Sequence, residues 1–302
     1  MKFPPYLKKG DTIGIVAPAG FMPVEKMQAC IETLDHWGYT VELGPSTHSQ
    51  SQNYFSGTDE ERLSDLQQML DNKNIKAILC ARGGYGVSRI IDRIDFKKFR
   101  KRPKWIIGFS DITVLHSHLH TNYKIASLHA PMAAAFSEGE VDNPYIQSVR
   151  QALEGEKASY ECDGDRFNQI GVDKGELVGG NLALLAHLIG TPSDIQTKNK
   201  ILFIEDVGEY LYNTDRLLLQ LKRAGKLSKL AGLIVGGFTD NKDTERPFGQ
   251  TAYEIINEQV KEFDFPVCFG FPVSHAKENL ALKIGATYEL SVKESDVCLR
   301  EL

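Results

Sequence analysis

Three side chains in this sequence have the types and positions needed for nucleophilic catalysis, and the first is Ser110. It lies between an apolar run at residues 105–109, which predicts a strand, and a predicted helix that starts at Asp111. A serine on such a turn presents its hydroxyl at the carboxyl edge of a sheet, where open α/β proteins bind ligands. The backbone N–H of Asp111 and the positive end of the helix would stabilise an oxyanion there.

The motif around Ser110 is only part of a nucleophile elbow, because Ile112 stands where the G-x-S-x-G pattern has its second glycine. The alternative interpretation is that Ser110 caps the N-terminus of the helix, as most serines before helices do. Taken by itself, this segment favours the cap.

A serine needs a base to lose its proton near neutral pH, and His275 is the candidate. It lies in a loop after an apolar run, and loops at strand ends often carry catalytic groups. His116, His118 and His120 share one predicted helix, but no HExxH motif or carboxylate pair accompanies them. We therefore interpret those three as packed or solvated side chains rather than metal ligands.

Glu205 and Asp206 follow the buried run at residues 201–204 and supply the candidate acid. A carboxylate at a strand end can hold an imidazole in one tautomer and stabilise its cation. Side chains alternate along a strand, so only one of the two carboxylates should serve. The alternative is that both simply end the strand in solvent.

A glycine-rich turn, Gly83-Gly84-Tyr85-Gly86, separates a predicted strand from a helical run. It fits neither the G-x-G-x-x-G nor the GxxxxGK[ST] phosphate-binding pattern. It could instead donate a second oxyanion N–H. Arg82 beside it could grip a substrate carboxylate through two parallel hydrogen bonds, and Tyr85 is a second candidate for substrate binding.

The alternation of short strands and amphipathic helices predicts an α/β fold with a parallel sheet covered by helices. We expect a first domain at residues 1–153 that carries the serine. The polar, glycine-containing stretch 154–174 predicts a linker, and residues 175–302 a smaller, strand-rich α/β domain that carries the acid and the base.

Composition limits the function classes. The chain has 302 residues, 42% of them apolar and 25% charged, and a net charge of −5, which argues against nucleic acid or an acidic membrane surface as the partner. The densest basic cluster, residues 96–102, is interpreted as a solvated helix end. Five scattered cysteines and the lack of a signal peptide or an apolar span of roughly 18 residues predict a soluble, cytoplasmic protein.

The ordered motifs together resemble the LD-carboxypeptidase (muramoyltetrapeptide carboxypeptidase) family of serine peptidases, which includes the microcin C immunity peptidases. The resemblance covers nearly the whole chain. It rests on residues 15–20, 57–62, 81–86, 108–111, 179–182 and 203–209 and on His275.

The resemblance implies a triad in the order Ser110, Glu205 and His275. It implies a Rossmann-like N-terminal domain, a smaller C-terminal domain and an active site in the cleft between them. The oxyanion donors would be the N–H of Asp111 and that of Gly83 or Gly84.

The implied reaction is cleavage of the bond between the L-centre of a diamino acid and a terminal D-alanine in murein tetrapeptides. This reaction belongs to cytoplasmic cell-wall recycling. The resemblance implies a homodimer, a peptide substrate ending in a D-amino acid, and no metal or organic cofactor. It leaves open whether the diamino acid is lysine or diaminopimelate.

Three other readings compete. A microcin C immunity-type peptidase would cleave an aminoacyl-nucleotide amide, and Tyr210 and Tyr212 near the acid could stack on its base. A non-catalytic two-domain small-molecule binding protein would usually carry a secretion signal and would not need the triad order. A nucleotide-binding Rossmann domain is disfavoured because the glycine fingerprint is missing.

Overall fold

The structure is a computed structural model that describes residues 1–137, 139 and 141–302. It divides into two compact units. The first consists of Met1–Glu156 with Leu280–Lys283, and the second of Lys157–Asn279 with Ile284–Leu302.

The strands and helices alternate along most of the chain. The strands are β1 (Thr12–Val16), β2 (Thr40–Leu43), β3 (Ile75–Cys80), β4 (Trp105–Gly108), β5 (Ser127–His129), β6 (Ser159–Asp163), β7 (Gly171–Asn181), β8 (Lys200–Val207), β9 (Gly232–Thr239), β10 (Val267–Phe269), β11 (Leu282–Ile284), β12 (Thr287–Val292) and β13 (Asp296–Glu301). The α-helices are α1 (Gln28–His36), α2 (Asp59–Asp71), α3 (Lys97–Lys101), α4 (Thr113–Tyr123), α5 (Pro144–Glu154), α6 (Leu182–His187), α7 (Leu211–Arg223) and α8 (Ala252–Val260). Short 3-10 helices cover Val24–Met27, Pro45–His48, Val87–Arg89, Ile91–Arg93, Ser110–Ile112 and Ala133–Ala135.

The first unit is built on a sheet in the order β2-β1-β3-β4-β5-β11. The pairs from β2 to β5 are all parallel. β1 is almost wholly buried and β4 is buried at every residue, which explains their continuous apolar runs, because helices cover both faces of a parallel sheet. The parallel sheet predicted for this part of the chain is confirmed.

The second unit is built on a mixed sheet in the order β10-β9-β8-β7-β12-β13-β6. β7 to β10 are parallel, and β12, β13 and β6 continue the sheet in antiparallel pairs. The predicted fold class, α/β with two domains, is therefore confirmed. Within the described residues, no helix has the length and apolar character that crossing a bilayer requires.

The stretch 154–174, predicted as a linker, instead contributes residues to two strands of the second sheet. It contains β6, which pairs with β13, and the first residues of β7. Its polar composition was misleading because β6 is an edge strand with no fully buried residue, and such a strand needs few apolar side chains. The helical run predicted at 87–94 consists of two 3-10 turns.

Arg62, on α2, fixes two loops at the carboxyl edge of the first sheet. Its side chain is fully buried and donates hydrogen bonds to the carbonyl oxygens of Pro18 (2.5 Å) and Gly86 (3.1 Å). It also pairs with Asp59, and its guanidinium lies 4.8 Å from the ring centroid of Phe55. The loops after β1 and β3 thus share one buried cation.

We expect Arg62→Lys to destabilise the protein by about 1–3 kcal/mol, because an ammonium cannot satisfy two carbonyls and a carboxylate in the guanidinium's planar arrangement. Urea unfolding followed by circular dichroism measures this loss. The matched control is Arg93→Lys, since Arg93 forms an exposed pair of 3.2 Å with Glu60 and should change stability by less than about 0.5 kcal/mol. Equal effects of the two substitutions would contradict the role given to Arg62.

Candidate active site

Ser110 occupies a strained turn directly after β4. Phe109 is extended, with φ −147° and ψ −167°, and Ser110 then has φ 60°. A non-glycine residue in this left-handed region costs free energy and occurs most often at functional sites. The strand, the left-handed serine and the helix that follows form the geometry expected of a nucleophile elbow.

The competing interpretation of Ser110 as a helix cap is wrong. The capping position of the 3-10 helix is occupied by Phe109, and no side-chain hydrogen bond caps the helix. Ser110 is the first residue of that helix and is partly exposed. Its hydroxyl therefore has no structural task at this helix end.

The glycine turn after β3 packs directly on Ser110. A Cβ atom added at Gly83 would lie 2.8 Å from the Ser110 Cβ and 2.9 Å from its Oγ, so no larger residue fits there. The Gly83 carbonyl accepts a hydrogen bond of 3.0 Å from the N–H of Gly20. The C=O and N–H of a trans peptide point in opposite directions, so the N–H of Gly84 points away from Gly20.

The carboxylate of Asp111 joins the same turn to the start of the helix. It is buried, and its Oδ2 accepts a hydrogen bond of 2.8 Å from the N–H of Val87. Burial raises the pKa of Asp111 to about 6, against the lowering effect of the Val87 N–H, the Arg62 charge and the Gly86 N–H. The backbone N–H of Asp111 lies in the first turn of a helix, where N–H groups lack intrahelical acceptors.

His116 holds the end of β4 rather than a metal. It is fully buried, its Nε2 lies 2.8 Å from the carbonyl oxygen of Gly108, and its Nδ1 lies 2.9 Å from the Ser127 Oγ. Burial lowers the pKa of His116 to about 4, so the ring is neutral. A carbonyl can only accept, so Nε2 carries the proton and Nδ1 accepts from Ser127.

Arg82 and Tyr85 lie on the exposed side of the glycine turn. The Arg82 Nη1 donates to the carbonyl oxygen of Phe21 at 2.9 Å, and the rest of its exposed guanidinium can still reach a ligand. The Tyr85 ring packs on Phe55 with centroids 5.8 Å apart and is also exposed. Both side chains are therefore exposed on the turn that follows β3.

Glu205 and His275 meet within the second unit. The His275 Nδ1 lies 2.6 Å from the Glu205 Oε2, and the carboxylate has none of its surface exposed. Burial lowers the pKa of His275, but the hydrogen bond and charge of Glu205, helped by the charge of Asp206, outweigh it and raise this pKa above its ordinary value. The carboxylate fixes the proton on Nδ1, which leaves Nε2 as the atom that can act as a base.

Asp206 points the other way, as the alternation along β8 predicts. Its Oδ1 accepts from the Asn181 Nδ2 at 2.8 Å, and its Oδ2 accepts from the N–H of Ala183 at 3.0 Å. Burial and the neighbouring Glu205 raise the pKa of Asp206 to about 6. Asp206 thus secures the start of α6.

Two glycines leave room for the segment that carries His275, and neither was predicted from the sequence to be part of the site. A Cβ atom added at Gly236 would lie 2.1 Å from the Val273 carbonyl oxygen, and one at Gly237 would lie 2.5 Å from the Ser274 Cβ. The N–H of Gly237 also donates to that Val273 oxygen at 2.9 Å. The Gly-Gly pair at the end of an apolar run was the available sequence signal for this close approach.

Both units match known protein domains. Residues 13–130 match the LD-carboxypeptidase N-terminal domain, and residues 174–290 match the LD-carboxypeptidase C-terminal domain. The protein is a serine-type carboxypeptidase. It belongs to the LD-carboxypeptidase family, as its motifs predicted.

Relatives of similar length support this assignment. The chain is 36% identical to the probable murein peptide carboxypeptidase of Bacillus subtilis, covering 96% of this chain and 92% of that protein. It is 30% identical to the murein tetrapeptide carboxypeptidase of Pseudomonas aeruginosa, covering 91% of each.

Solved structures share the fold. The muramoyltetrapeptide carboxypeptidase from Oxalobacter formigenes superposes with a TM-score of 0.87 and 29% identity, covering 96% of this chain and 98% of that one. The microcin C7 self immunity protein in complex with adenosine monophosphate superposes with a TM-score of 0.87, covering 99% and 98%. At 22% identity, the second likeness shows the fold alone.

We expect Gly83→Ala to lower kcat by about 10²-fold or more, because the added methyl group would displace Ser110 and the turn beside it. Steady-state kinetics on a murein tetrapeptide measure the loss. The control is Gly171→Ala, where the nearest atom to an added Cβ is 3.3 Å away on Pro266. Wild-type kcat in Gly83→Ala would contradict a role for the close packing of this turn on Ser110.

The raised pKa of His275 predicts the pH dependence of a reaction in which this imidazole is the base. Only the neutral imidazole can accept a proton, so kcat/KM should rise as the pH increases through a value above the ordinary 6.5. Glu205→Gln removes the charge that raises this pKa, so the acid limb should move to lower pH while kcat falls by about 10²–10⁴-fold. An exposed carboxylate change, Glu262→Gln, should leave the profile unchanged. An unmoved acid limb in Glu205→Gln would contradict the pairing.

Proposed function

We propose that this protein is a serine LD-carboxypeptidase that releases the terminal D-alanine of murein tetrapeptides. Ser110 is the nucleophile, His275 the general base and Glu205 the acid that orients the base. The observation that carries the proposal is the 2.6 Å contact between the His275 Nδ1 and a Glu205 carboxylate that has no exposed surface. The two named murein peptidases among its relatives support the substrate class.

In the proposed reaction, the His275 Nε2 takes the proton of Ser110 as the Oγ attacks the scissile carbonyl. The resulting oxyanion is stabilised by the N–H of Asp111 and by one N–H of the glycine turn. The N–H of Gly84 is the better candidate of the two glycines, because the peptide between Gly83 and Gly84 has its carbonyl oriented toward Gly20. His275 then protonates the amine of the leaving D-alanine, and water releases the acyl-enzyme.

The proposal needs a serine from the first unit and an imidazole from the second to act on the same substrate. Arg82, exposed beside the turn, is the candidate for binding the terminal carboxylate of the peptide, and Tyr85 for contacting its side chains. No metal or organic cofactor takes part in this scheme.

The same proposal extends to the setting of the reaction. We infer a cytoplasmic homodimer that acts in cell-wall recycling. Its five cysteines are all free thiols, three of them buried, which is typical of a reducing compartment and supports this location.

A second candidate is an immunity-type peptidase that cleaves an aminoacyl-nucleotide amide. The observation that favours it is an exposed aromatic pair, Tyr210 and Tyr212, whose rings stack with centroids 5.3 Å apart. These tyrosines directly follow the acid-bearing strand, and stacked rings can hold a nucleobase. Parallel assays on a murein tetrapeptide and an aminoacyl sulfamoyl adenylate distinguish the two substrates.

We expect Ser110→Ala to fold and to lose turnover by about 10⁴-fold or more, because it lacks the attacking oxygen. Mass spectrometry of the products from tetrapeptides ending in D-alanine or L-alanine measures both activity and stereochemistry. Only the peptide ending in D-alanine should lose one residue. The control is Ser228→Ala, which removes an exposed turn hydroxyl and should have wild-type turnover.

Two results would overturn this proposal. Wild-type turnover in Ser110→Ala would show that another group attacks the carbonyl. Loss of activity with a strong chelator, restored by zinc, would place the protein among metallopeptidases.

A further inference from the structure

A cavity of the first unit lies at the opposite edge of its sheet from Ser110. It has a volume of about 530 Å³ and is lined by residues that precede β1, β3 and β4, together with the N-terminal segment and the end of α3. Ser110 follows the carboxyl end of β4, whereas this cavity lies at the amino ends of the strands. It therefore cannot be part of the proposed active site.

The lining of this cavity is strongly cationic. Eight basic and two acidic side chains contribute, which gives six net positive charges in a chain whose total is −5. The basic residues are Lys2, Lys8, Lys73, Lys76, Lys98, Lys101, Arg102 and Lys104, and the acidic ones are Asp11 and Asp71. Such a concentration of like charge costs free energy unless an anion binds among the charges.

Few of these cations are neutralised by the protein. Lys98 pairs with Asp71 at 3.0 Å, whereas Lys8, Lys101 and Arg102 form no ion pair with any residue in the described part of the chain. Their exposed charges are therefore available to a ligand.

The pKa of the buried Lys104 is affected by the local excess of positive charge. Lys104 donates to the carbonyl oxygens of Met69 (2.9 Å) and Asn72 (2.6 Å), and so closes the end of α2. Burial lowers its pKa to about 8, and the charges of Lys76 and Arg102 lower it further against the opposing effect of Asp71. A bound anion would stabilise the charged form of this lysine.

The cavity also has an apolar wall. Tyr6 is part of the lining and stacks on Trp105, with ring centroids 5.8 Å apart and an interplanar angle of 21°. Phe3, Pro5 and Pro103 add further apolar surface. A ligand that fills this space should combine negative charge with a flat or apolar group.

We propose that this cavity binds a phosphorylated small molecule of nucleoside diphosphate size, with its phosphates among the lysines and its ring against the aromatic wall. The volume is within the roughly 300–1,000 Å³ typical of small-molecule sites. A nucleic acid is less suitable, because the positive charge is confined to a cavity on an acidic protein. Three residues of the basic cluster at residues 96–102 contribute to this site, namely Lys98, Lys101 and Arg102.

Isothermal titration calorimetry on the full chain tests this site with uridine diphosphate, inorganic pyrophosphate and uridine as probes. We expect saturable binding of uridine diphosphate, weaker binding of pyrophosphate and none of uridine, because the phosphates supply most of the attraction. Binding of uridine diphosphate should weaken as salt is added, since salt screens exposed charges.

The double variant Lys101→Glu/Arg102→Glu should weaken uridine diphosphate binding by at least about tenfold, because it reverses two charges of the lining. The matched control is Lys97→Glu on the same helix, whose side chain is 84% exposed and lies outside the lining. If the double variant unfolds, the effect of Lys8→Glu on uridine diphosphate binding tests the same cavity from the N-terminal segment. Hydrolysis of a murein tetrapeptide is measured in parallel and should not change, so this test is separate from that of the catalytic residues.

Several results would overturn the proposal. One is the absence of saturable binding of uridine diphosphate and pyrophosphate to the wild-type protein at millimolar concentration. Another is equal weakening by Lys97→Glu and by the lining variants. Binding to anionic phospholipid vesicles or to single-stranded RNA, without any response to the two small probes, would assign the patch to a macromolecular surface instead.

Discussion

The burial of the Glu205 carboxylate is the constraint on which the second unit depends. A carboxylate with no exposed surface is tolerated only when other groups satisfy its charge, and the His275 Nδ1 does so at 2.6 Å. The arrangement requires β8 to lie inside the sheet and the segment before His275 to pack closely on Gly236 and Gly237. The two glycines of β9 thus leave room for the segment that brings His275 to Glu205.

In the first unit, the comparable constraint is the strained backbone of Ser110. Ser110 has a left-handed backbone, and such a conformation persists only where surrounding contacts hold it. Those contacts are the Gly83 backbone on one side and the Asp111 carboxylate, bonded to Val87, on the other. Arg62 also donates hydrogen bonds to the carbonyl oxygens of Pro18 and Gly86 in the loops after β1 and β3. These contacts therefore fix the backbone of Ser110 and the turn beside it together.

Local patterns in the sequence were enough to predict the parallel sheet, the turn at Ser110 and the opposite directions of Glu205 and Asp206, since each follows from the periodicity of a strand or helix. Three features depend on contacts between distant segments and could not be predicted this way. They are the close packing of Gly83 on Ser110, the two carbonyls bound by Arg62, and the edge strand β6 in the polar stretch taken as a linker. The family motifs supplied the pairing of Glu205 with His275, which no local pattern encodes.

Labelling with a small organophosphorus fluoride, followed by peptide mass spectrometry, tests whether Ser110 is a nucleophile activated by His275, because the reagent reacts fast with a hydroxyl that a base has activated. We expect a single adduct on Ser110 in the wild-type protein and at least a hundredfold slower labelling in His275→Ala. Labelling of a different residue, or an equal rate in His275→Ala, would contradict it.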